Sequence, residues 1–237
     1  VPARSYFATA AAVVAVGAKP VFADIEIETQ NVSAETLSKV VSKNTKAIAC
    51  VHLSGLPCNM PQIMDLAKNF GFYVIEDCAQ AHGAIYRKKS VGSIGDISCW
   101  SFCQDKIMTT AGEGGMVTCN KEEYWSKMWS YKDHGKNYDA VYNQKHPAGF
   151  RWVHHRFGTN ARLTEIQSAI GIYQLGKMNK WHKIRLKNAN HIWDCASEID
   201  GLNTPFIPDH IEHGAYKCCL TIDPKMFKSN WLRDRLI

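Results

Sequence analysis

The sequence predicts an open α/β fold: a mostly parallel β-sheet covered by helices on both faces. Three observations carry this expectation. Short, nearly continuous apolar runs recur at Ala47–Leu53, Phe72–Ile75 and Ile97–Phe102, as in strands buried on both faces. Stretches with helical start and stop signals lie between the earlier runs, which is the alternation that builds parallel sheets. At 237 residues the chain is long enough to bury a core of one large domain or one and a half.

The elements are expected in this order. Ser5–Val16 is alanine-rich and helical in character, and Gly17 ends it. Pro20–Asp24 reads as a short strand. Ser33 is placed to cap a helix running to Val41, with Glu35 in its first turn. Ala47–Leu53 is a strand that carries His52, Met60–Asn69 a helix, and Gly71 precedes the strand Phe72–Ile75. Two further strands, Ile97–Phe102 and Gly115–Cys119, are followed by a helix from Lys121 to about Tyr131. Lys132–Gly158 reads as irregular and rich in aromatics and histidines. Thr164 to about Trp193 reads as a long helix interrupted near Gly176, and Lys217–Ile222 as a strand of a second, incomplete domain. The division expected is a large domain over residues 1–180, then a linker helix and the start of a small α+β domain over 181–237.

Composition narrows the class. Hydrophobic residues make up 46% and charged residues 21% of the chain, ordinary values for a globular protein. The formal charge of +6 comes from scattered lysines and arginines rather than a massed basic surface, which argues against nucleic acid as the partner. Nine cysteines, with no CxxC pair and no leader-like segment, point to reduced thiols in a cytoplasmic protein. The longest apolar stretch, Ala8–Val16, is too short to span a bilayer. The chain opens on Val1-Pro2 and stops at Ile237 within an amphipathic pattern, so a longer parent chain is expected.

Polar residues collect where such folds bind ligands, beyond the carboxyl ends of strands. Glu76-Asp77 closes one apolar run, and Gln80 follows three residues after the aspartate. Ser101 closes the next run, with Lys106 five residues on and the glycine-rich turn Gly112-Glu113-Gly114-Gly115 beyond it. A carboxylate, an amide, a hydroxyl and a lysine at the ends of successive strands suit pyridoxal phosphate (PLP): a lysine to form a Schiff base and an acid to face the pyridine nitrogen. Taken singly, each has an ordinary explanation, such as a helix cap, a solvated amide or a surface charge. Their order and spacing make the case.

The motifs EDxAQAHGA (Glu76–Ala84), SFxxxK (Ser101–Lys106), GEGGM (Gly112–Met116) and GTNxRLTEIQSAIG (Gly158–Gly171) resemble the DegT–StrS type of PLP-dependent nucleotide-sugar aminotransferases. The opening VPARSYFATAAAVVAVGAKPVFAD is similar to that family's early β–α–β unit, and the likeness runs in order from Val1 to about Leu175. The resemblance implies a fold-type I PLP-transferase. It assigns Lys106 as the Schiff-base lysine, Asp77 as partner of the pyridine nitrogen, Gln80 as partner of the ring hydroxyl and Ser101 as a phosphate ligand. It also implies that Tyr6 stacks on the cofactor and that Asn160 crosses a homodimer interface to the phosphate of the other subunit. The implied reaction moves an amino group from an amino-acid donor such as glutamate to a keto group of a nucleotide-linked deoxysugar, in polysaccharide biosynthesis. A sugar dehydratase of the same fold would carry histidine in place of Lys106, and a cofactor-free binding module is the alternative of a different class.

Other signals are weaker. Val117 stands where a dinucleotide-binding fingerprint needs its third glycine. Cys50, His52 and Cys58 match no common zinc spacing, so no metal is expected. Phe150–Phe157 alternates aromatic and basic residues as single-strand nucleic-acid grooves do, but the pattern is short and isolated.

Overall fold

The computed structural model describes residues 1–149, 154–227 and 233–236. Phe150, Arg151, Trp152 and Val153 of the aromatic–basic stretch lie outside the described residues. The elements, in chain order, are α1 (Phe7–Ala15), α2 (Ala34–Ser38), β1 (Ala47–Val51), α3 (Met60–Phe70), β2 (Tyr73–Asp77), β3 (Ile85–Tyr86), β4 (Lys89–Ser90), β5 (Ile97–Ser101) and β6 (Gly115–Cys119). Then follow α4 (Glu122–Lys132), α5 (Tyr138–Tyr142), α6 (Glu165–Leu175), α7 (Met178–Ser197), β7 (Leu202–Asn203), β8 (Ile211–Glu212), β9 (Thr221–Ile222) and α8 (Arg233–Leu236).

The main sheet has the order β1-β2-β5-β6. The first three strands are parallel and β6 runs antiparallel to β5. Register sets the chemistry of the two faces: Val51 pairs with Asp77, and Asp77 with Cys99. Because side chains alternate along a strand, Asp77, Cys99 and Ser101 share one face, while Glu76, Ser98 and Trp100 share the other. Helix α3 covers the Glu76 face. It buries Met60, Ile63 and Ala67 at helical spacing, against Ile48, Cys50 and Val74. Gly71, at φ 73°, stops that helix in the left-handed conformation that favours glycine. Helix α1 lies toward the other face, where Thr9 donates to Asp77.

Local signals explain several elements. Ser33 caps α2 by accepting from Thr36 N, and Thr164 caps α6 by accepting from Gln167 N, each in a reciprocal capping box. The long C-terminal helical stretch is split as expected, with α6 ending at Leu175 and α7 beginning at Met178.

Three stretches differ from expectation. Pro20–Asp24 forms only one isolated bridge, Pro2 to Ala23, because proline has no N–H to extend a ladder. Within Lys217–Ile222 only Thr221–Ile222 is strand, paired with β7; the backbone N–H of Lys217 goes instead to the carbonyl of Ser54. The stretch after Lys132 contains the short helix α5, capped by Asn137, and aromatic contacts of Trp125 and Trp129 with Tyr138 hold it.

Candidate active site

Asp77 closes β2 with both carboxylate oxygens engaged. Oδ2 accepts from Thr9 Oγ1 at 2.8 Å and Oδ1 from the backbone N–H of Ala79 at 3.1 Å. Thr9 in turn bonds Ser5 at 3.0 Å, which ties the carboxylate to the turn that carries Tyr6. Gln80 is oriented too. Its Oε1 accepts from Ser54 N at 2.7 Å, which directs its NH2 outward as a donor. On the neighbouring strand Ser101 Oγ accepts from Cys103 N at 3.3 Å, and the chain turns there so that Lys106 N bonds Cys103 O at 3.0 Å. Strands in a sheet lie about 5 Å apart and rise about 3.3 Å per residue. Asp77 pairs with Cys99, so Ser101 lies one strand across and two residues further on, about 8 Å away on the same face.

Beneath Asp77, the preceding glutamate organises the opposite face. Glu76 is fully buried and accepts from Gly92 N (2.8 Å), Ile94 N (2.9 Å), Gly95 N (2.5 Å) and His52 Nε2 (3.1 Å). Burial alone would raise its pKa, but His52 and the glycine N–H groups outweigh that and hold it below the usual carboxylate range. Cys58 N donates to His52 Nδ1 at 3.0 Å, so the His52 proton sits on Nε2, facing Glu76. His52, Glu76 and Cys78 come within 4.8 Å of one another. Each histidine nitrogen and each Glu76 oxygen already has a protein partner, so the cluster reads as a structural network.

Lys106 ends at a pair that the sequence did not single out. Its Nζ lies 3.4 Å from Tyr216 Oη and 3.5 Å from Asp105 Oδ1, and Tyr216 donates to Asp105 Oδ2 at 2.6 Å. Burial works to lower the lysine pKa, yet Tyr216 and Asp105 more than compensate, and the net direction is up. Burial lowers the neighbouring His82 to about 4, and the Lys106 charge adds to this. A cavity of about 470 Å³ is lined by His82, Trp100, Met116 and Thr118 on the face opposite Asp77.

Asp77 and Ser101 thus end the adjoining strands β2 and β5, with Gln80 just beyond the first and Lys106 beyond the second. Tyr6 follows Ser5 in the chain and is 73% exposed. Asn160 lies elsewhere, bridged to Asp133 beside α4 and exposed, with Arg162 N 3.5 Å from its Oδ1. Tyr216 was missed because it stands 110 residues from Lys106; no local pattern marks it.

A mostly parallel sheet with an oriented carboxylate at one strand end and a lysine beyond the next is the arrangement expected from the sequence for an aminotransferase-type α/β protein. The chain belongs to the DegT/DnrJ/EryC1/StrS aminotransferase family, whose model matches residues 1–237. It is similar to the GDP-perosamine synthase of Escherichia coli O157:H7, 42% identical over 175 residues covering 74% of this chain and 45% of that protein. The crystal structure of an aminotransferase from Psychrobacter cryohalolentis superposes with a TM-score of 0.97 at 48% identity, covering all of this chain and 62% of that one. DesV of S. venezuelae, solved with a ketimine intermediate, gives a TM-score of 0.81 at 28% identity over 91% of this chain and 55% of that one. The expected fold-type I architecture is therefore present. The chain spans about half the length of the curated relatives it matches, for example 58%, 45% and 59% of three of them.

Proposed function

We propose that the parent protein is a PLP-dependent aminotransferase acting on a nucleotide-linked keto sugar. The observation that carries this reading is the oriented Asp77 carboxylate at the end of β2, together with a lysine past the end of the neighbouring β5 whose side chain is only 12% exposed and meets polar partners. The donor set fits the cofactor. Asp77, fixed by Thr9 and Ala79, offers a carboxylate to a pyridine nitrogen; Gln80 offers N–H to a ring oxygen; Ser101 offers a hydroxyl to a phosphate. When bound, PLP supplies an aldehyde that captures amines and a ring that withdraws electrons.

The chain's own groups would do the rest. Asp77 would keep the ring nitrogen protonated, and Nζ of Lys106 would take the proton from the donor's α-carbon and deliver it to the cofactor's aldehyde carbon, on the other side of the donor nitrogen. The donor, glutamate by our reading, would leave as a keto acid, and the acceptor would be the keto group of a deoxysugar nucleotide. Synthases and transaminases of GDP-, dTDP- and UDP-linked amino sugars among the relatives support this substrate class. We further propose that Tyr6 covers the cofactor ring, and that Asn160 serves the site of a second subunit in a homodimer. Its exposure and its distance from the other site residues favour that role. The same reading divides the chain near residue 180 and places the protein in the cytoplasm; among the described residues no helix is long and apolar enough to cross a membrane.

Incubation with PLP, borohydride reduction and peptide mapping test the assignment. The label is expected on the Lys106 peptide and should vanish in Lys106→Ala. A label that persists in that variant, or maps to another lysine, refutes the site. Asn160→Ala is expected to weaken PLP retention without changing which lysine is labelled, as read by dialysis and absorbance.

A further inference from the structure

The ε-amine of Lys106 is held by its chain neighbour Asp105 and by Tyr216, 110 residues further on. Tyr216 gives its own hydroxyl proton to Asp105 at 2.6 Å, so the oxygen lone pairs are free to accept from Lys106 at 3.4 Å. The same Nζ lies 4.9 Å from the Tyr216 ring centroid, a cation–π distance, and 3.5 Å from Asp105 Oδ1. An acceptor oxygen, an aromatic face and a carboxylate all favour a cation at this point.

Tyr216 is also firmly placed. Gly214 N bonds Gly55 O at 2.8 Å and Lys217 N bonds Ser54 O at 3.2 Å, so the segment lies across the loop that follows β1. Arg185 of α7 donates to Ala215 O at 2.9 Å and to Tyr216 O at 2.8 Å. Gly55 permits the crossing: a Cβ there would come within 3.0 Å of Ala215 N. Ser54, which accepts from Lys217, also directs Gln80 through its own N–H. One strap from the C-terminal part therefore borders both the lysine and the amide.

We propose that Tyr216 and Asp105 form a receiving site for the ε-ammonium of Lys106 whenever that amine is not covalently engaged. They are positioning residues, and the inference rests on the cofactor reading above. A lysine that must release the cofactor and later recapture it hangs on a flexible four-carbon stem. A receiver keeps the amine at a fixed point near the strand ends instead of spread over solvent-facing rotamers, which preserves its effective concentration for return. It also stores the group in its protonated form, consistent with the upward direction of the Lys106 pKa.

The test is amine-reactive labelling of Lys106 across pH in protein without added PLP, quantified by peptide mass spectrometry. Tyr216→Phe removes the acceptor and Asp105→Asn the charge. Both should move the labelling midpoint to lower pH, and below the midpoint Lys106 should react about three- to tenfold faster, the scale of one lost hydrogen bond. Should Tyr216→Phe not fold, Asp105→Asn carries the test from a largely exposed position. A midpoint unmoved in the folded variants, or a rise in plateau alone, overturns the proposal. Borohydride mapping with PLP is run in parallel. A Lys106 that takes up PLP but keeps its midpoint refutes the receiving site alone. A Lys106 whose midpoint moves but takes up no PLP refutes the cofactor reading and the receiving role with it.

Discussion

Asp77 is the carboxylate proposed to face the cofactor, but the residue before it fixes the ground on which it stands. Glu76 is fully buried and takes four N–H donors, from His52 just past β1 and from the Gly92–Gly95 turn. An amide cannot replace it, since its NH2 would point at one or more of those donors. Glu76→Gln should therefore cost about 3 kcal/mol, the lower range for breaking a buried charged network. For a chain of this size that corresponds to a fall in melting temperature of roughly 6–12 °C. A thermal melt within about 2 °C of the parent would show that the network contributes little. Thr9 acts on Asp77 from the other side. Thr9→Val keeps the shape and removes the hydroxyl, and should weaken PLP binding about fivefold through a less well oriented carboxylate; an unchanged Kd by absorbance titration would remove Thr9 from the site.

Among elements, the connection between β2 and β5 is the one that shapes the site. It folds back as the β3–β4 hairpin, and Gly92 follows with φ +80° and its N–H on Glu76. A Cβ at Gly92 would lie 2.4 Å from the Trp100 ring, on the strand that leads to Ser101 and Lys106. Gly92→Ala combines a disfavoured φ with that clash and should destabilise by about 2–3 kcal/mol; denaturant unfolding checks it, and a loss below about 0.5 kcal/mol would contradict the packing. This connection also shows what could be read in advance. The strand ends at Asp77 and Ser101 were legible, because apolar runs mark strands and the polar residues beyond them mark the ligand-binding edge. The hairpin was not, since Ile85–Tyr86 and Lys89–Ser90 are two-residue strands set by Arg87 and Lys88 at positive φ, a choice unusual for such residues. Pro20–Asp24 has strand-like composition, but a strand needs a partner, and its nearest partner is a proline. Tyr216 was hidden for a related reason: its place depends on a strap across distant loops, and pairing at that range leaves no local periodicity.

For the molecule as a whole, His82 and His213 weaken the fold in acid, while His52, whose burial is outweighed by Cys58, Cys78 and Glu76 so that it sits above the usual histidine range, acts in the opposite sense. His82 packs against Trp100 and Phe102, and His213 packs against Trp193 beside His182. Burial lowers both to about 4, helped by the Lys106 charge at His82 and by His182 at His213. A histidine whose pKa is depressed in the folded state contributes stability that is fully present above its unfolded value, near 6.5. That stability is lost as the pH falls from 6.5 toward 4, because the unfolded chain takes up the proton first. At about 1.4 kcal/mol per decade, each ring accounts for on the order of 3 kcal/mol over that window. Stability should therefore fall steeply between pH 6.5 and 4 before carboxylate protonation adds its share. His82→Phe removes one titrating ring at a position that borders a cavity with room for the larger side chain. Its stability curve should be flatter by about half across this window and should cross that of the parent at acid pH. Urea unfolding at pH 7, 6 and 5 measures the difference, and parallel curves for parent and variant would mean that His82 takes up its proton as readily in the folded protein as in the unfolded chain.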